Sequence, residues 1–123
     1  MTTRVLIADD DADFRLTLKS ALELAGYAVD ITANGEQALA IQRVTPADIL
    51  ITDIFMPERD GFETIDVFRR EFPRTKIIAM SGGSQLAKRG DYLASAALIG
   101  IEATLQKPFK IELLLSRLRS LQG

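Results

Sequence analysis

Four short pieces of this chain each follow or close a run of apolar residues with a reactive polar one. Asp9-Asp10 follows Arg4-Val5-Leu6-Ile7-Ala8, and Asp53 follows Ile49-Leu50-Ile51-Thr52. Ser81 follows Ile77-Ile78-Ala79-Met80, and Lys107-Pro108 follows Ala103-Thr104-Leu105-Gln106. Together they supply several carboxylates, a hydroxyl and an ammonium. Asp9, Asp10 and Asp53 gathered at one place would repel one another unless a cation sat among them. Hard oxygen donors with open positions suit Mg2+, which keeps some of its waters and binds through a few carboxylates. A phosphoryl group arriving beside them would meet the Lys107 charge and the Ser81 hydroxyl, so phosphoryl transfer is the chemistry this set supports. Asp53 is the nucleophile candidate because it stands alone at the end of a central strand.

This chemistry requires the four pieces to share an edge, and a parallel sheet provides one at the carboxyl ends of its strands. Val5 to Ala8, Ala28 to Ile31, Ile49 to Thr52, Ile77 to Met80 and Ala103 to Leu105 are expected as strands. The first, third and fourth are nearly continuous in apolar residues, as befits strands covered on both faces. Phe14, Leu18, Ala21, Leu22 and Ala25 lie on one face of a helix that Gly26 would terminate. Asn34 is expected to cap a second helix, from Gly35 to Val44, because Ala38 and Ile41 keep helical spacing. Phe62, Ile65, Phe68 and Phe72 mark a third, stopped by Pro73, and Ile111, Leu114, Leu115 and Leu118 the last. Gly82 to Gly90 is expected as a mobile loop before a short helix beginning near Asp91. Five β-α units result, and right-handed crossovers leave few ways to wind them.

Composition narrows the field. The 123 residues carry 15 basic and 17 acidic side chains, a formal charge of −2, which gives no basic surplus for nucleic acid. There is no Cys and no His, so disulfide, zinc-thiolate, phosphohistidine and Ser-His chemistry within the chain are excluded. No apolar run is long enough to span a membrane. Met1-Thr2-Thr3-Arg4 leads straight into a strand, so no signal peptide is expected and the location is expected to be cytoplasmic. Residues 1–123 are read as one domain, with no output domain expected after the last helix.

Asp9-Asp10, the stretch Asp53-Ile54-Phe55-Met56-Pro57-Glu58-Arg59-Asp60-Gly61, Met80-Ser81-Gly82-Gly83 and Gln106-Lys107-Pro108-Phe109 together resemble the receiver domains of two-component response regulators, of the stand-alone chemotaxis-regulator kind. The resemblance covers the whole chain. It implies an α/β, flavodoxin-like, doubly wound five-stranded parallel sheet of order 2-1-3-4-5 with five helices. It implies that Asp53 is the phosphoacceptor, Ser81 the switch hydroxyl and Lys107 the phosphoryl-binding lysine. Mg2+ would be held by Asp10, Asp53 and the backbone carbonyl of Phe55, with Asp9 acting through water. The Lys107-Pro108 bond is expected to be cis, and Gly61 to open the third helix.

The partners implied are a histidine kinase or histidine phosphotransfer protein upstream. Downstream, a protein target or a second copy would read the face of the fourth helix, fifth strand and fifth helix. Such a protein is a phosphoacceptor that assists its own phosphorylation and slow dephosphorylation, and is not an enzyme. One departure from the family is Thr104, which stands where most receivers carry an aromatic switch residue; Tyr92 and Phe109 are the substitutes to consider. A second is the wide separation of Ser81 from Lys107.

Three other readings compete. The chain could be a receiver excised from a hybrid kinase or a longer regulator. A haloacid dehalogenase-like phosphatase would use the same residue types, but Asp9-Asp10-Asp11-Ala12-Asp13 does not match its D-x-D-x-[TV] motif. A calcium loop over Asp9, Asp11 and Asp13 fails at Phe14, where glycine is needed, and at Ser20, where glutamate is needed.

Overall fold

Alternation along the strands decides how this chain is layered. In β1 (Arg4–Ala8), Leu6 and Ala8 belong to one apolar cluster, while Val5 and Ile7 belong to another. In β3 (Ile49–Asp53), Leu50 joins the first, and Ile49 and Ile51 the second. Side chains alternate across a strand, so each central strand feeds a core on both faces of the sheet. This computed structural model describes residues 2–54, 61–82 and 100–122.

The remaining strands among these residues are β2 (Ala28–Thr32), β4 (Lys76–Gly82) and β5 (Ala103–Lys107). All pair in parallel, in the order β2-β1-β3-β4-β5. The flavodoxin-like topology expected from the sequence is therefore present. Four helices are described: α1 (Ala12–Leu24), α2 (Gly35–Val44), α3 (Gly61–Glu71) and α4 (Ile111–Gln122). Leu18 and Leu22 of α1 and Leu114 and Leu118 of α4 cover one face of the sheet. Ala38 and Leu39 of α2 with Ile65 and Phe68 of α3 cover the other. The helix expected near Asp91, the Gly82 to Gly90 loop beyond its first residue, Tyr92 and Phe55 lie outside the described residues.

The helix ends follow local chemistry. Asp11 caps α1 by accepting from the backbone N–H of Phe14 at 3.1 Å, and Gly26 past its end takes φ +100°, which favours glycine. Asn34 caps α2 by accepting from the Gln37 N–H, and Gln37 reaches back to the Ala33 N–H, both at 2.9 Å. Ala25, expected on the buried face of α1, is exposed and stands just past the helix as its C-cap. Phe72, expected within the third helix, lies just past its end at Glu71.

The larger corrections concern strand ends. β4 runs through Ser81 to Gly82, and β5 runs through Gln106 to Lys107, because the two strands stay paired at Ser81–Gln106 and Gly82–Lys107. Ser81 and Lys107 are therefore strand residues rather than the first residues past a strand. Asp53 likewise closes β3, paired with Met80. Polar residues past the apolar run kept their ladder hydrogen bonds, which hydrophobicity alone does not report.

Candidate functional site

Asp9 is the first residue after β1 and is wholly buried, held at four points. Its N–H donates to the Thr32 carbonyl at 3.1 Å, tying it to β2. Its Oδ1 accepts from the Asp11 N–H at 2.9 Å, which shapes the entry to α1. Its carbonyl accepts from the Arg15 guanidinium at 2.7 Å. Its Oδ2 accepts from Lys107 Nζ at 2.5 Å. Asp10, the next residue, is exposed.

Asp53 is 5 % exposed at the end of the central strand, and its Oδ2 lies 3.1 Å from Lys107 Nζ. Carboxylate oxygens of Asp9, Asp10 and Asp53 fall within 4.8 Å of one another, although 44 residues separate Asp9 from Asp53. Parallel pairing of β1 with β3, Ala8 opposite Thr52, produces this convergence. Ser81 is buried in β4, one residue past the Met80 that pairs with Asp53. The candidates Asp9, Asp10, Asp53, Ser81 and Lys107 thus all reach the carboxyl edge of the sheet.

Lys107 arrives from β5, with the Lys107-Pro108 bond cis as expected. Burial pulls its ammonium toward the neutral form, but the Asp9 hydrogen bond and the charges of Asp53 and Asp9 outweigh that, and its pKa is raised above the ordinary 10.5. Among the described residues, one ammonium faces three carboxylates, an excess of negative charge. That excess, made of hard oxygen donors with Asp10 open to solvent, fits a small divalent cation.

Gly61 lies directly against the backbone at the end of β3. Its N–H donates to the Ile54 carbonyl at 2.8 Å, and an added Cβ would stand 2.4 Å from the Asp53 carbonyl oxygen and 2.5 Å from Ile54 Cα. Only glycine allows α3 to begin so close to the end of β3.

Two neighbours escaped the sequence reading. The spacing of Phe14 places it on the core face of its helix, yet Lys107 Nζ also lies over its ring, 4.4 Å from the centroid. Arg15 was not singled out at all. Both sit in the first turn of the helix after β1, which a parallel fold places at the reactive edge, so their position was the available signal. Thr104 is exposed on β5, opposite Ala79, and Phe109 packs edge-on against Phe14 at 5.9 Å.

A strand order of 2-1-3-4-5 with an acidic pocket at the carboxyl ends of β1 and β3, faced by a lysine from β5, defines a phosphoacceptor class of signalling domain. The chain belongs to the response regulator receiver domain family, whose match covers residues 5–119. It is 31 % identical over 121 residues to the response regulator MprA of Mycobacterium tuberculosis, covering 98 % of this chain and 51 % of that protein. The chain therefore spans about half the length of the curated relatives it matches.

Among solved structures, it is similar to the chemotaxis response regulator CheY4 of Vibrio cholerae, with 30 % identity and a TM-score of 0.83 over 98 % of this chain and 99 % of that one. It is also similar to a CheY-like receiver domain protein of Methanospirillum hungatei, with 28 % identity and a TM-score of 0.85 over 99 % and 95 % of the two chains. Receiver domains of response regulators are phosphorylated by histidine kinases, and are phosphoacceptors rather than enzymes in the usual sense. Among the described residues, no helix is long and apolar enough to cross a membrane.

Proposed function

We propose that Asp53 is the phosphoacceptor of this receiver, taking a phosphoryl group from a histidine kinase or a histidine phosphotransfer protein. The observation that carries the reading is the single ammonium of Lys107 shared between Asp9 and Asp53, inside a cluster of three carboxylates. A carboxylate oxygen of Asp53 attacks phosphorus, an O–P bond forms, and the bond from phosphorus to the donor nitrogen or oxygen breaks with its electron pair leaving on the donor. Lys107 turns from carboxylate counter-ion to partner of a phosphoryl oxygen, and the Ser81 hydroxyl donates to another. Asp10, Asp53 and the Phe55 carbonyl would hold Mg2+, with Asp9 joined through water. The cation would supply neutralisation of the incoming phosphate's charge.

Residues 1–123 act in this reading as one domain in the cytoplasm, without contact to nucleic acid. Phosphorylation would shift Ser81 and change the face to which β5 and α4 contribute. A protein target or a second copy would read that face. Because the curated relatives are about twice as long, a place within a longer regulator or hybrid kinase is the second reading that an observation favours.

The test is intact mass after incubation with acetyl phosphate, with and without Mg2+, on the parent chain and on Asp53→Asn. A Mg2+-dependent gain of one phosphoryl group, absent in Asp53→Asn, supports the proposal. An unlabelled parent, or labelling that persists in Asp53→Asn, removes it. Turnover separates it from a phosphatase, which would release many phosphates per chain.

A further inference from the structure

Phe14 belongs to the apolar cluster shared by α1 and α4, and packing would be reason enough for a phenylalanine there. Its ring does more than pack. Lys107 Nζ meets Asp9 Oδ2 and Asp53 Oδ2 and also lies over the Phe14 ring, 4.4 Å from the centroid. The electron-rich face of an aromatic ring attracts a cation at that distance, more strongly where water is scarce.

The ring is itself held in place. Phe109, two residues beyond Lys107, meets Phe14 edge-on with the planes 83° apart. The Phe14 N–H is engaged by the Asp11 cap, which fixes the first turn of α1. The strand that delivers the lysine and the helix that delivers the ring are thus locked to each other beside the ammonium.

We propose that Phe14 is a positioning residue for Lys107, its ring face seating the ammonium above the Asp9–Asp53 pair. The proposal rests on the reading of Lys107 as the phosphoryl-binding cation. Both carboxylate partners change during the proposed reaction: Asp53 becomes an acyl phosphate, and Asp9 is drawn into holding a cation. The ring neither ionises nor binds metal, so it is the contact that stays constant while the others exchange. A lysine has a long flexible stem, and without this seat its charge would spread over several orientations toward solvent.

The experiment uses the whole chain with Phe14→Leu, Phe14→Tyr, and pentafluorophenylalanine at position 14, which keeps the ring's shape but reverses the charge on its face. Two quantities are read: the rate of labelling by acetyl phosphate with Mg2+, and the NMR shifts of the Lys107 ε-protons, which a ring face moves upfield. The parent and Phe14→Tyr should label at similar rates and keep the upfield ε-protons. Phe14→Leu and the pentafluoro variant should label about fivefold more slowly, with the Lys107 ε-protons displaced from their parent positions. The unfolding midpoint of the pentafluoro variant should fall less than that of Phe14→Leu, which also loses the packing of the ring, separating positioning from packing. A pentafluoro variant with the parent's rate and the parent's Lys107 shifts would overturn the proposal. Failure of the parent to label would remove the reading of Asp53 instead, and the NMR shifts would still decide whether Phe14 seats Lys107.

Discussion

A side-chain carbon on Gly61 would lie 2.4 Å from the carbonyl oxygen of Asp53. The Cβ position is fixed by the Gly61 backbone and the oxygen belongs to the Asp53 backbone, so no rotamer change relieves the clash. The helix that begins at Gly61 and the strand that ends at Asp53 are therefore pressed together at the acceptor.

Gly61→Ala should push α3 away from β3. The expected cost is about 1–3 kcal/mol, the range for overpacking a tight site. Urea unfolding measures it, and labelling should slow as well because the Asp53 backbone moves. A variant with parental stability would mean the approach is looser than the geometry states.

Lys107→Met removes the ammonium shared by two buried carboxylates. In chelator-containing buffer the loss should be on the order of 2 kcal/mol, less than for a fully buried pair because the lysine is one-fifth exposed. Adding Mg2+ should raise the unfolding midpoint of this variant more than that of the parent, since a cation then has no ammonium to compete with. Equal shifts for the two proteins would refute that competition.

The same lysine sets a pH dependence. Its folded pKa is raised above 10.5, so its contribution to stability is complete below about pH 10.5 and disappears as pH climbs through the raised value. The stability difference between parent and Lys107→Met should therefore be constant from pH 7 to about pH 10 and shrink above that. Urea titrations of both proteins at pH 8, 10 and 11.5 would show it. A difference that shrinks below pH 9 would contradict the environment described for Lys107.

Gln42→Ala tests a site remote from the carboxylates. Gln42 is fully buried; its amide donates to Thr75 Oγ1 at 3.0 Å and its carbonyl accepts the Ala47 N–H at 2.9 Å, while Thr75 Oγ1 donates to the Ala47 carbonyl. Truncation strands the Ala47 N–H and should cost about 1–3 kcal/mol. Labelling by acetyl phosphate should be unchanged, because this loop lies at the opposite edge of the sheet from Asp53. Thermal unfolding and intact mass check the two halves of the prediction.

Much of the molecule was readable before folding. Continuous apolar runs in β1, β3 and β4 identified doubly covered strands, and Asn34, Pro73 and Gly26 marked helix limits close to where they fall. Asp9, Asp10, Asp53 and Lys107 were readable as a site because chain order and parallel pairing predict one shared edge. Less readable was anything whose meaning depends on a partner from a different element. Gln42 is a polar helix residue that nothing along the chain marks as buried; Thr75, just before β4, meets it only in the fold. Phe14 carried the right period for the core, and period says nothing of the cation above its ring. The strands expected to end at Met80 and Leu105 run on through Ser81 and Lys107 because ladder hydrogen bonds continue past the last apolar side chain.

Asp9 deserves a different kind of reading from its neighbour. Its N–H, carbonyl and both carboxylate oxygens are committed to β2, α1, Arg15 and Lys107, whereas Asp10 is exposed. In a genetic screen, a mutant at Asp10 with normal protein abundance would report lost signalling. A mutant at Asp9 would also lose the turn into α1, and its phenotype would mix signalling with proteolysis of the unfolded chain. Allelic series through this acidic pair will therefore separate the signal from the scaffold only when protein level is scored alongside output.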